Sequence, residues 1–248
     1  MFILSRDQKK AFDDVMEWYQ KDREAMPYIT LGGYAGTGKT TFIAHLRKRL
    51  TKLNKKLKVG FASYTGKASR VLRNKLRETD TIMGQDTVGT IHSLIYSPIV
   101  DEKERIIGWK TKDKIDRDLI IIDEASMVDS LIWQHLIAYK IPIIVVGDHG
   151  QLPPIKGNFN LMQKPHLKLE EIHRQAKHNP IIKISLLARE KGYIPAGIYG
   201  DKIKKIILDN ADAQETASDL LSSYDYDTLV LCGYNKTRRK LNTFIRGA

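Results

Sequence analysis

The chain has 248 residues, a hydrophobic content of 42% and a formal net charge of +12. That length and composition are enough for one large globular domain, or for one domain and part of another. No stretch is apolar for long enough to span a membrane or to form the core of a secretory signal. The basic charge indicates a polyanionic partner, nucleic acid before membrane. The single cysteine, Cys232, excludes an internal disulfide and fits a reducing compartment, and we expect it to be buried in a strand with Leu229 to Leu231.

The positive charge is concentrated in one part of the chain. From Ala25 to Arg77 there are thirteen Lys and Arg residues and no Asp or Glu. Any one of these lysines is best explained as part of a solvated helix face. The whole acid-free stretch is better explained as a surface that faces phosphates, because like charges repel unless an anion offsets them.

Hydrophobic spacing predicts alternating helices and strands over the first part of the chain. In chain order they are a helix over Ser5–Gln20, a strand over Tyr28–Leu31, a helix over Thr40–Leu53, a strand over Val59–Ser63, a helix over Lys67–Leu76, a strand over Leu119–Ile122, a helix over Ser130–Ala138 and a strand over Ile141–Val146. Wholly apolar strands are typical of a sheet covered on both faces. The alternation therefore predicts an α/β fold with a parallel, doubly wound sheet.

Two regions depart from this alternation. Ser97–Arg117 is charged, with an apolar island at Ile106–Trp109, and is predicted to be a hairpin that stands out from the sheet. After about Lys164 a second α/β unit begins, so we divide the chain into domains at 1–164 and 165–248. Its predicted elements are a helix near Pro180–Arg189, then Lys204–Leu208, Ala213–Leu221, Thr228–Leu231 and Lys236–Ile245.

Gly33 to Thr40 reads Gly-Tyr-Ala-Gly-Thr-Gly-Lys-Thr, between a predicted strand and a predicted helix. This is the phosphate-loop pattern in the context that confirms it. Gly33, Gly36 and Gly38 allow the backbone N–H groups to point inward at phosphates, and the helix N-terminus adds positive charge. Lys39 is predicted to bind the β- and γ-phosphates, with the Thr40 hydroxyl as an Mg²⁺ ligand. The chain is thus expected to bind ATP and Mg²⁺.

Two acids, Asp123 and Glu124, follow the apolar strand at Leu119–Ile122. With a phosphate loop upstream, Asp123 is predicted to be the second Mg²⁺ ligand and Glu124 to orient and polarise the attacking water. The alternative is that the pair caps the next helix, where acids are favourable.

Two further side chains are candidates for sensing the γ-phosphate. Gln151 follows a third apolar strand in the sequence Gly-Asp-His-Gly-Gln, so its amide is predicted to contact that phosphate; the alternative is a plain turn rich in Gly and Pro. Arg174 lies early in the second unit, where an arginine could neutralise transition-state charge, an effect worth about 10³–10⁵ in rate in other NTPases. Spacing alone would make Arg174 a surface residue.

Taken together, the motifs resemble those of the superfamily 1B helicases, the RecD, Dda and Pif-type enzymes that move 5′ to 3′ on single-stranded DNA, with most likeness to the phage Dda type. The matching segments are Gln8 (the adenine-reading Q motif), Gly33–Thr41 (motif I), Ala62–Ser69 (motif Ia), Thr90–Leu94 (the next DNA-contacting motif), Ile121–Val128 (motif II), Gly147–Ile155 (motif III), Ile172–Gln175 (motif IV, with Arg174 as its arginine finger), and Leu231–Lys236 with Leu241–Asn242 (the second motor domain). They cover nearly the whole chain in the family's order. Motifs I, II and III are specific as a set.

The resemblance implies a RecA-like P-loop NTPase fold with an incomplete second RecA-like unit. The nucleotide-binding residues that it implies are Gln8, Gly33, Ala35, Gly36, Thr37, Gly38, Lys39, Thr40 and Thr41. The DNA-binding residues that it implies are Thr65, Lys67, Thr90, His92, Trp109 and Asn235. No metal other than Mg²⁺ is expected.

Three of these assignments have structural alternatives. Gln8 is also the fourth residue of a Ser-Arg-Asp-Gln capping box, so its amide has two competing roles. His92 is alternatively a core histidine. The hairpin corresponds to the family's duplex-splitting pin, with Trp109 or Ile107 as its aromatic or apolar tip; the alternative places Trp109 over the hairpin's base.

The implied function is ATP-driven 5′-to-3′ movement on single-stranded DNA and unwinding of forked duplexes. We expect a monomer in a bacterial or phage-infected cytoplasm, with replication or recombination proteins as further partners. The family's later DNA motif and its C-terminal arginine motif are not found, so a fragment of a longer helicase is expected. The alternatives are an ATP- and DNA-binding module without unwinding activity and, more remotely, a small-molecule kinase.

Overall fold

The computed structural model of the protein describes residues 4–152, 154, 159–171, 179–200, 203–207, 211–223, 225 and 227–246. The chain divides into two compact units, Met1–Lys177 and His178–Ala248. Within the described ranges, no helix is long and apolar enough to cross a bilayer.

The first unit contains the candidate functional residues of motifs I to III. Its elements are α1 (Arg6–Glu17), a π-helical turn (Trp18–Asp22), β1 (Tyr28–Gly33), α2 (Lys39–Leu53), β2 (Val59–Ser63), α3 (Gly66–Glu78), β3 (Thr87–Thr90), α4 (Ile91–Ile95), β4 (Tyr96–Val100), β5 (Ile106–Thr111), β6 (Leu119–Asp123), a 3₁₀ turn (Ala125–Met127), α5 (Ser130–Ala138), β7 (Ile143–Gly147) and β8 (Leu167–Leu169). In the described part of the chain the main sheet has six parallel strands in the order β3-β2-β6-β7-β1-β8. The predicted doubly wound α/β fold is confirmed.

Leu119–Ile122 of β6 and Ile143–Val146 of β7 are wholly apolar because both faces of the sheet are covered there. Leu119 and Ile121 of β6 belong to the core beneath α1, α2 and α3, whereas Ile120 and Ile122 belong to the core beneath α4 and α5. Successive side chains of a strand point to opposite faces, so a strand buried on both sides needs an apolar residue at every position. β7 alternates between the same two cores.

A buried ion pair fixes the chain between α2 and β3. The Arg47 guanidinium binds the Asp86 carboxylate in a bidentate manner, with both N···O distances at 2.9 Å, and neither side chain is exposed. Arg47 also donates to the Leu57 carbonyl and the Thr51 hydroxyl, and Asp86 accepts the N–H of Val59. The desolvated charges are therefore satisfied by hydrogen bonds on both sides, as a buried pair requires.

The predicted hairpin is confirmed. β4 and β5 pair antiparallel, with Tyr96 opposite Thr111 and Pro98 opposite Trp109. The Tyr139 hydroxyl donates to the carbonyl of Lys112 at the hairpin's base, at 2.7 Å. The paired part ends at Thr111, short of the predicted Arg117, because the chain from Lys112 onward returns to β6.

The first unit extends beyond the expected boundary near Lys164. β8 adds to the sheet beside β1, with Leu31 opposite Leu167 and Gly33 opposite Leu169. His166 fixes this edge, since its backbone N–H donates to the Thr30 hydroxyl at 2.8 Å.

The second unit contains the predicted helices, and one of its strands overlaps the predicted element at Lys204–Leu208. Its described elements are α6 (Pro180–Lys191), β9 (Gly197–Tyr199), β10 (Ile203–Lys205), α7 (Ala211–Ser222) and α8 (Asn235–Arg246). β9 and β10 form an antiparallel pair. The expected strand at Thr228–Leu231 is wrong, because this segment has no strand partner among the described residues. Cys232 is accordingly exposed, and the prediction that its thiol is buried is also wrong.

Candidate nucleotide site and nucleic-acid face

The phosphate loop joins β1 to α2 at the carboxyl edge of the sheet. Gly36 and Gly38 have φ of 84° and 77°, a backbone region that glycine enters without strain. A Cβ on Gly33 would lie 2.6 Å from the Thr37 hydroxyl and 3.1 Å from the Leu169 Cβ. The loop therefore needs glycine at these positions. Ala35 is exposed in the loop, and Thr40 and Thr41 lie in the first turn of α2.

The Lys39 ammonium group lies inside the loop. Its Nζ donates to the carbonyl of Gly33 at 2.8 Å and to that of Tyr34 at 3.1 Å, while the buried Thr37 donates its hydroxyl to the Tyr34 carbonyl. Phosphate oxygens are stronger acceptors than these carbonyls because hydrogen bonds between charged groups are shorter and stronger. The lysine is thus held close to where a nucleotide's phosphates would lie.

Asp123 is the last residue of β6 and Glu124 follows it, at the same edge of the sheet. Asp123 is buried and accepts the Glu124 N–H at 2.9 Å. Burial and the charge of Glu124 raise the pKa of Asp123 from 3.8 to about 6, against the opposing effects of that N–H and of Lys39. Such a carboxylate is unstable as a bare anion, and a bound cation would relieve its desolvation.

The alternative role of this acid pair, capping the next helix, is not the one observed. Glu124 has a φ of 56° and makes no side-chain cap at the 3₁₀ turn that follows it. The cap of α5 is Asp129, whose carboxylate accepts the Ile132 N–H at 2.9 Å. A non-glycine residue in the left-handed region is uncommon and marks a position that its surroundings constrain.

Gln151 connects the loop after β7 to the acids after β6. Its Nε2 donates to a carboxylate oxygen of Glu124 at 3.3 Å, and its Oε1 accepts from the Ser126 hydroxyl at 2.8 Å. The Gln151 N–H also closes a turn onto the carbonyl of the buried Asp148 at 3.2 Å. The turn and the sensor interpretations are therefore compatible, since the turn brings the amide to Glu124.

Gln8 completes the capping box and also contacts the phosphate loop, while its predicted contact with adenine stays a prediction. The Ser5 hydroxyl accepts the Gln8 N–H and the Gln8 amide oxygen accepts the Ser5 N–H, at 3.0 Å, so the capping box is complete. The buried amide also donates from Nε2 to the Thr37 carbonyl in the phosphate loop, at 2.8 Å. One amide thus links the start of α1 to the nucleotide site.

Four DNA-contact candidates lie together at the carboxyl ends of β2 and β3. These strands are neighbours, with Ser63 opposite Thr90. Thr65 caps α3 and Thr90 caps α4, and Lys67 and His92 are exposed in the first turns of these two helices. The prediction that His92 is a surface residue rather than a core histidine agrees with this exposure.

Trp109 lies near the base of the hairpin rather than at its tip. The turn of the hairpin is at Asp101–Arg105, whereas the Trp109 ring lies 6.3 Å from that of His92 and is 52% exposed. Ile107, 66% exposed, lies further out. Of the two alternatives, the structure shows Trp109 near the base of the hairpin. Its indole lies on the same side as His92, another of the DNA-contact candidates.

Residues 3–202 match the family model of an AAA domain. The chain belongs to this family. It is 33% identical to the ATP-dependent RecD2 DNA helicase of Deinococcus radiodurans over 70% of the chain and 23% of that protein. It is 25% identical to the ATP-dependent DNA helicase Dda of Enterobacteria phage T4 over 98% of the chain and 56% of that protein. These relatives confirm the predicted membership of the superfamily 1B helicases, and the chain spans less than two thirds of either of them.

The fold also matches a solved helicase. A Pif1 helicase from Bacteroides, in complex with ADP-AlF₃ and single-stranded DNA, superposes with a TM-score of 0.55 at 20% identity, over 100% of this chain and 58% of that one. At this identity the likeness shows the fold alone. The predicted RecA-like fold of a P-loop NTPase is confirmed.

The donor set of this helicase family member fits Mg²⁺. Among the described residues no cluster of three or more His, Cys, Asp or Glu side chains is arranged to hold a metal. Thr40 and Asp123 offer one hydroxyl and one carboxylate, and Mg²⁺ in nucleotide sites takes one or two protein oxygens together with phosphates and water. The raised pKa of Asp123 is what a carboxylate prepared for a cation should show.

Two predicted site residues lie outside this geometry. Arg174 falls on 172–178, outside the described residues. Asn235 is exposed at the start of α8, in the second unit. The roles of both stay predictions.

Sequence reasoning missed three contacts around the loop. The Tyr34 and His149 rings lie 4.3 Å apart, beside the phosphate loop. Ser126 holds Gln151, and Asp7 accepts the N–H groups of Glu170 and Glu171. Only the contact of Ser126 could have been suspected from the sequence, because Ser126 lies within motif II. The other contacts join residues far apart in sequence.

Proposed function

We propose that this chain is the nucleotide-hydrolysing part of an ATP-dependent 5′-to-3′ DNA helicase, which couples ATP hydrolysis to movement on single-stranded DNA. The observation that carries the proposal is the convergence of Lys39, Asp123, Glu124 and Gln151 at one edge of a parallel sheet. Their arrangement suits phosphoryl transfer to water, in which positioning and charge stabilisation do most of the work. The names of the relatives support DNA as the track.

Each side chain has a distinct part in the proposed reaction. Lys39 would turn from the loop carbonyls to the β- and γ-phosphates, and Thr40 and Asp123 would hold Mg²⁺, which would neutralise phosphate charge. Glu124 orients a water and accepts its proton as the oxygen bonds to the γ-phosphorus and the bond to the β–γ bridging oxygen breaks. ADP and phosphate are the products. For Arg174 we propose that its charge stabilises the transition state.

Gln151 is proposed to connect this reaction to the DNA face. Its amide already lies on Glu124, so loss of the γ-phosphate would change the partners available to that amide. Ser126 holds the other end of the amide and therefore sets its orientation.

The DNA track is proposed to run over the ends of β2 and β3. Thr65, Lys67, Thr90 and His92 lie there, and Trp109 offers a ring on which a base could stack. Stacking of one base on an aromatic side chain is worth about 1–3 kcal/mol. Single-stranded and forked DNA are the proposed substrates, and the second unit, with Asn235, is proposed to begin the second RecA-like motor domain.

The test is ATP hydrolysis by the 248-residue chain with and without single-stranded DNA. Hydrolysis should rise with DNA and be lost in Lys39→Ala. Lys48→Ala, an exposed lysine on the same helix, is the matched control and should behave as the native chain does. Unimpaired hydrolysis by Lys39→Ala would refute the proposal, and salt-sensitive DNA binding without turnover would instead favour a binding module.

A further inference from the structure

The rings of Tyr34 and His149 join the phosphate loop to the turn that carries Gln151. Their centroids lie 4.3 Å apart, with an angle of 42° between the ring planes, so the two side chains are in direct contact. Tyr34 is the second residue of the phosphate loop, and His149 lies two residues before Gln151. Two segments of the nucleotide site that are more than a hundred residues apart in sequence therefore touch through their side chains.

The register of the sheet explains this contact. β1 and β7 are parallel neighbours with Gly32 opposite Gly147, and Tyr34 and His149 each lie two residues beyond that pair. A Cβ on Gly32 would lie 2.9 Å from the His149 Nδ1. The imidazole thus occupies space that a side chain at position 32 would need, and a glycine inside a strand commonly marks such a close approach. The His149 ring is held between β1 and the phosphate loop.

His149 lies inside a turn that Asp148 closes. The Asp148 carbonyl accepts the Gln151 N–H at 3.2 Å, and the Asp148 carboxylate accepts the Gly150 N–H at 2.8 Å. Asp148 is itself buried at the end of β7. In a closed four-residue turn the backbone positions of the second and fourth residues depend on each other. A displacement of His149 would therefore also displace Gln151.

Tyr34 belongs to the part of the phosphate loop that holds Lys39. The Tyr34 carbonyl accepts hydrogen bonds from the Lys39 Nζ at 3.1 Å and from the Thr37 hydroxyl at 2.8 Å. At the other end of the contact, the turn brings the Gln151 amide to Glu124, at 3.3 Å. The ring pair thus spans from a residue bonded to the phosphate-binding lysine to the turn that presents the sensor amide.

We propose that Tyr34 and His149 are positioning residues, whose ring contact fixes the Gln151 amide relative to the phosphate loop. This proposal rests on the proposed function and deepens it. With the rings in contact, the separation between the bound phosphates and the amide is set by the packing of two side chains. Without the His149 ring, Ser126 still holds the amide oxygen of Gln151, but the turn shifts and the amide is misplaced for the γ-phosphate. Binding of ADP, which has no γ-phosphate, is unaffected.

Two variants at one position separate the ring contact from other roles of the imidazole. His149→Ala removes the ring, whereas His149→Phe keeps an aromatic ring without the two nitrogens. On the full chain we expect His149→Ala to leave the Kd for ADP unchanged, which also shows that the nucleotide site is folded. Its kcat of DNA-stimulated hydrolysis should fall by about 2- to 10-fold, the factor to which the energy of one aromatic pair corresponds. His149→Phe should restore the native kcat.

Double variants test whether the effect passes through Gln151. In a Gln151→Ala background, His149→Ala should lower kcat no further, because the side chain that it positions is already absent. Tyr34→Leu removes the other ring and should lower kcat as His149→Ala does. The two changes together should cost no more than either alone, since each already breaks the same contact.

A native kcat in His149→Ala, or a loss that His149→Phe does not restore, would overturn the inference. An additive loss in the Gln151→Ala background would do the same. If the native chain shows no hydrolysis, the proposed function fails in this chain, and nucleotide binding decides the inference. The ratio of the Kd for ADP to the Kd for a non-hydrolysable ATP analogue should then fall in His149→Ala and Gln151→Ala alike and recover in His149→Phe. A native ratio in His149→Ala, or a fall confined to that variant, would overturn the positioning role.

Discussion

Replacing Asp123 with asparagine should make the nucleotide-free protein more stable while it abolishes hydrolysis. Burial and Glu124 raise the pKa of Asp123 from 3.8 to about 6. At about 1.36 kcal/mol per pKa unit, the ionised form is disfavoured in the folded protein by about 3 kcal/mol. Asparagine keeps an oxygen to accept the Glu124 N–H and carries no charge, so at pH 7 the free energy of unfolding should rise by up to about 3 kcal/mol.

The raised pKa of Asp123 also determines how the stability gain of Asp123→Asn depends on pH. Because the folded pKa lies above the unfolded value, protonation stabilises the native protein, fully below pH 3.8, and this contribution is lost as the pH rises through about 6. The advantage of Asp123→Asn should therefore be largest at pH 7 and shrink between pH 6 and 4. Urea unfolding followed by tryptophan fluorescence measures the free energy of unfolding of the first unit, because that unit contains all three tryptophans. Equal or lower stability of the variant at pH 7, or a gain independent of pH, would refute the reasoning; Asp13→Asn is the control.

Three further predictions concern the nucleotide site, the buried ion pair and the hairpin. Gln151→Ala should lower kcat of DNA-stimulated hydrolysis by about 10²–10³ with little change in nucleotide Kd, since it removes one positioned donor; a change confined to Kd would contradict the sensor role. Arg47→Met should lower the free energy of unfolding by about 3–5 kcal/mol, because it leaves the Asp86 carboxylate buried without its partner; urea unfolding with a loss well under that range would argue that water reaches the pair. Trp109→Ala should weaken single-stranded DNA binding by about 1–3 kcal/mol in a fluorescence-anisotropy titration, and Ile107→Ala by less. A larger loss of affinity in Ile107→Ala than in Trp109→Ala would indicate that the nucleobase contacts the outer part of the hairpin.

The sheet core was predictable because its signal is local. Leu119–Ile122 and Ile143–Val146 are wholly apolar, a pattern typical of strands in a parallel sheet that is covered on both faces. The phosphate loop was predictable for the same reason, since glycines, Lys39 and Thr40 lie within eight residues whose spacing is set by backbone geometry.

Elements defined by their neighbours were not predictable. β3 (Thr87–Thr90) and β8 (Leu167–Leu169) are strands of four and three residues, too short for a hydrophobic period, and they exist because β2 and β1 offer free edges. Cys232 shows the converse. An apolar run resembling a strand precedes it, yet among the described residues this run pairs with no strand, and the thiol is exposed.

Gln8 shows that one side chain can serve both a helix cap and the phosphate loop. A capping box uses the amide oxygen, and the phosphate loop uses the amide nitrogen, so the two demands fall on different atoms of one side chain. The cap fixes the orientation of the amide, and an orientation fixed in this way is what a residue that contacts the nucleotide loop requires. Asp7 follows the same logic, with one oxygen on the cap and the other on Glu170 and Glu171. The first turn of α1 therefore serves as both a helix start and a rigid support of the nucleotide site, and a substitution there should be judged by which atom it removes.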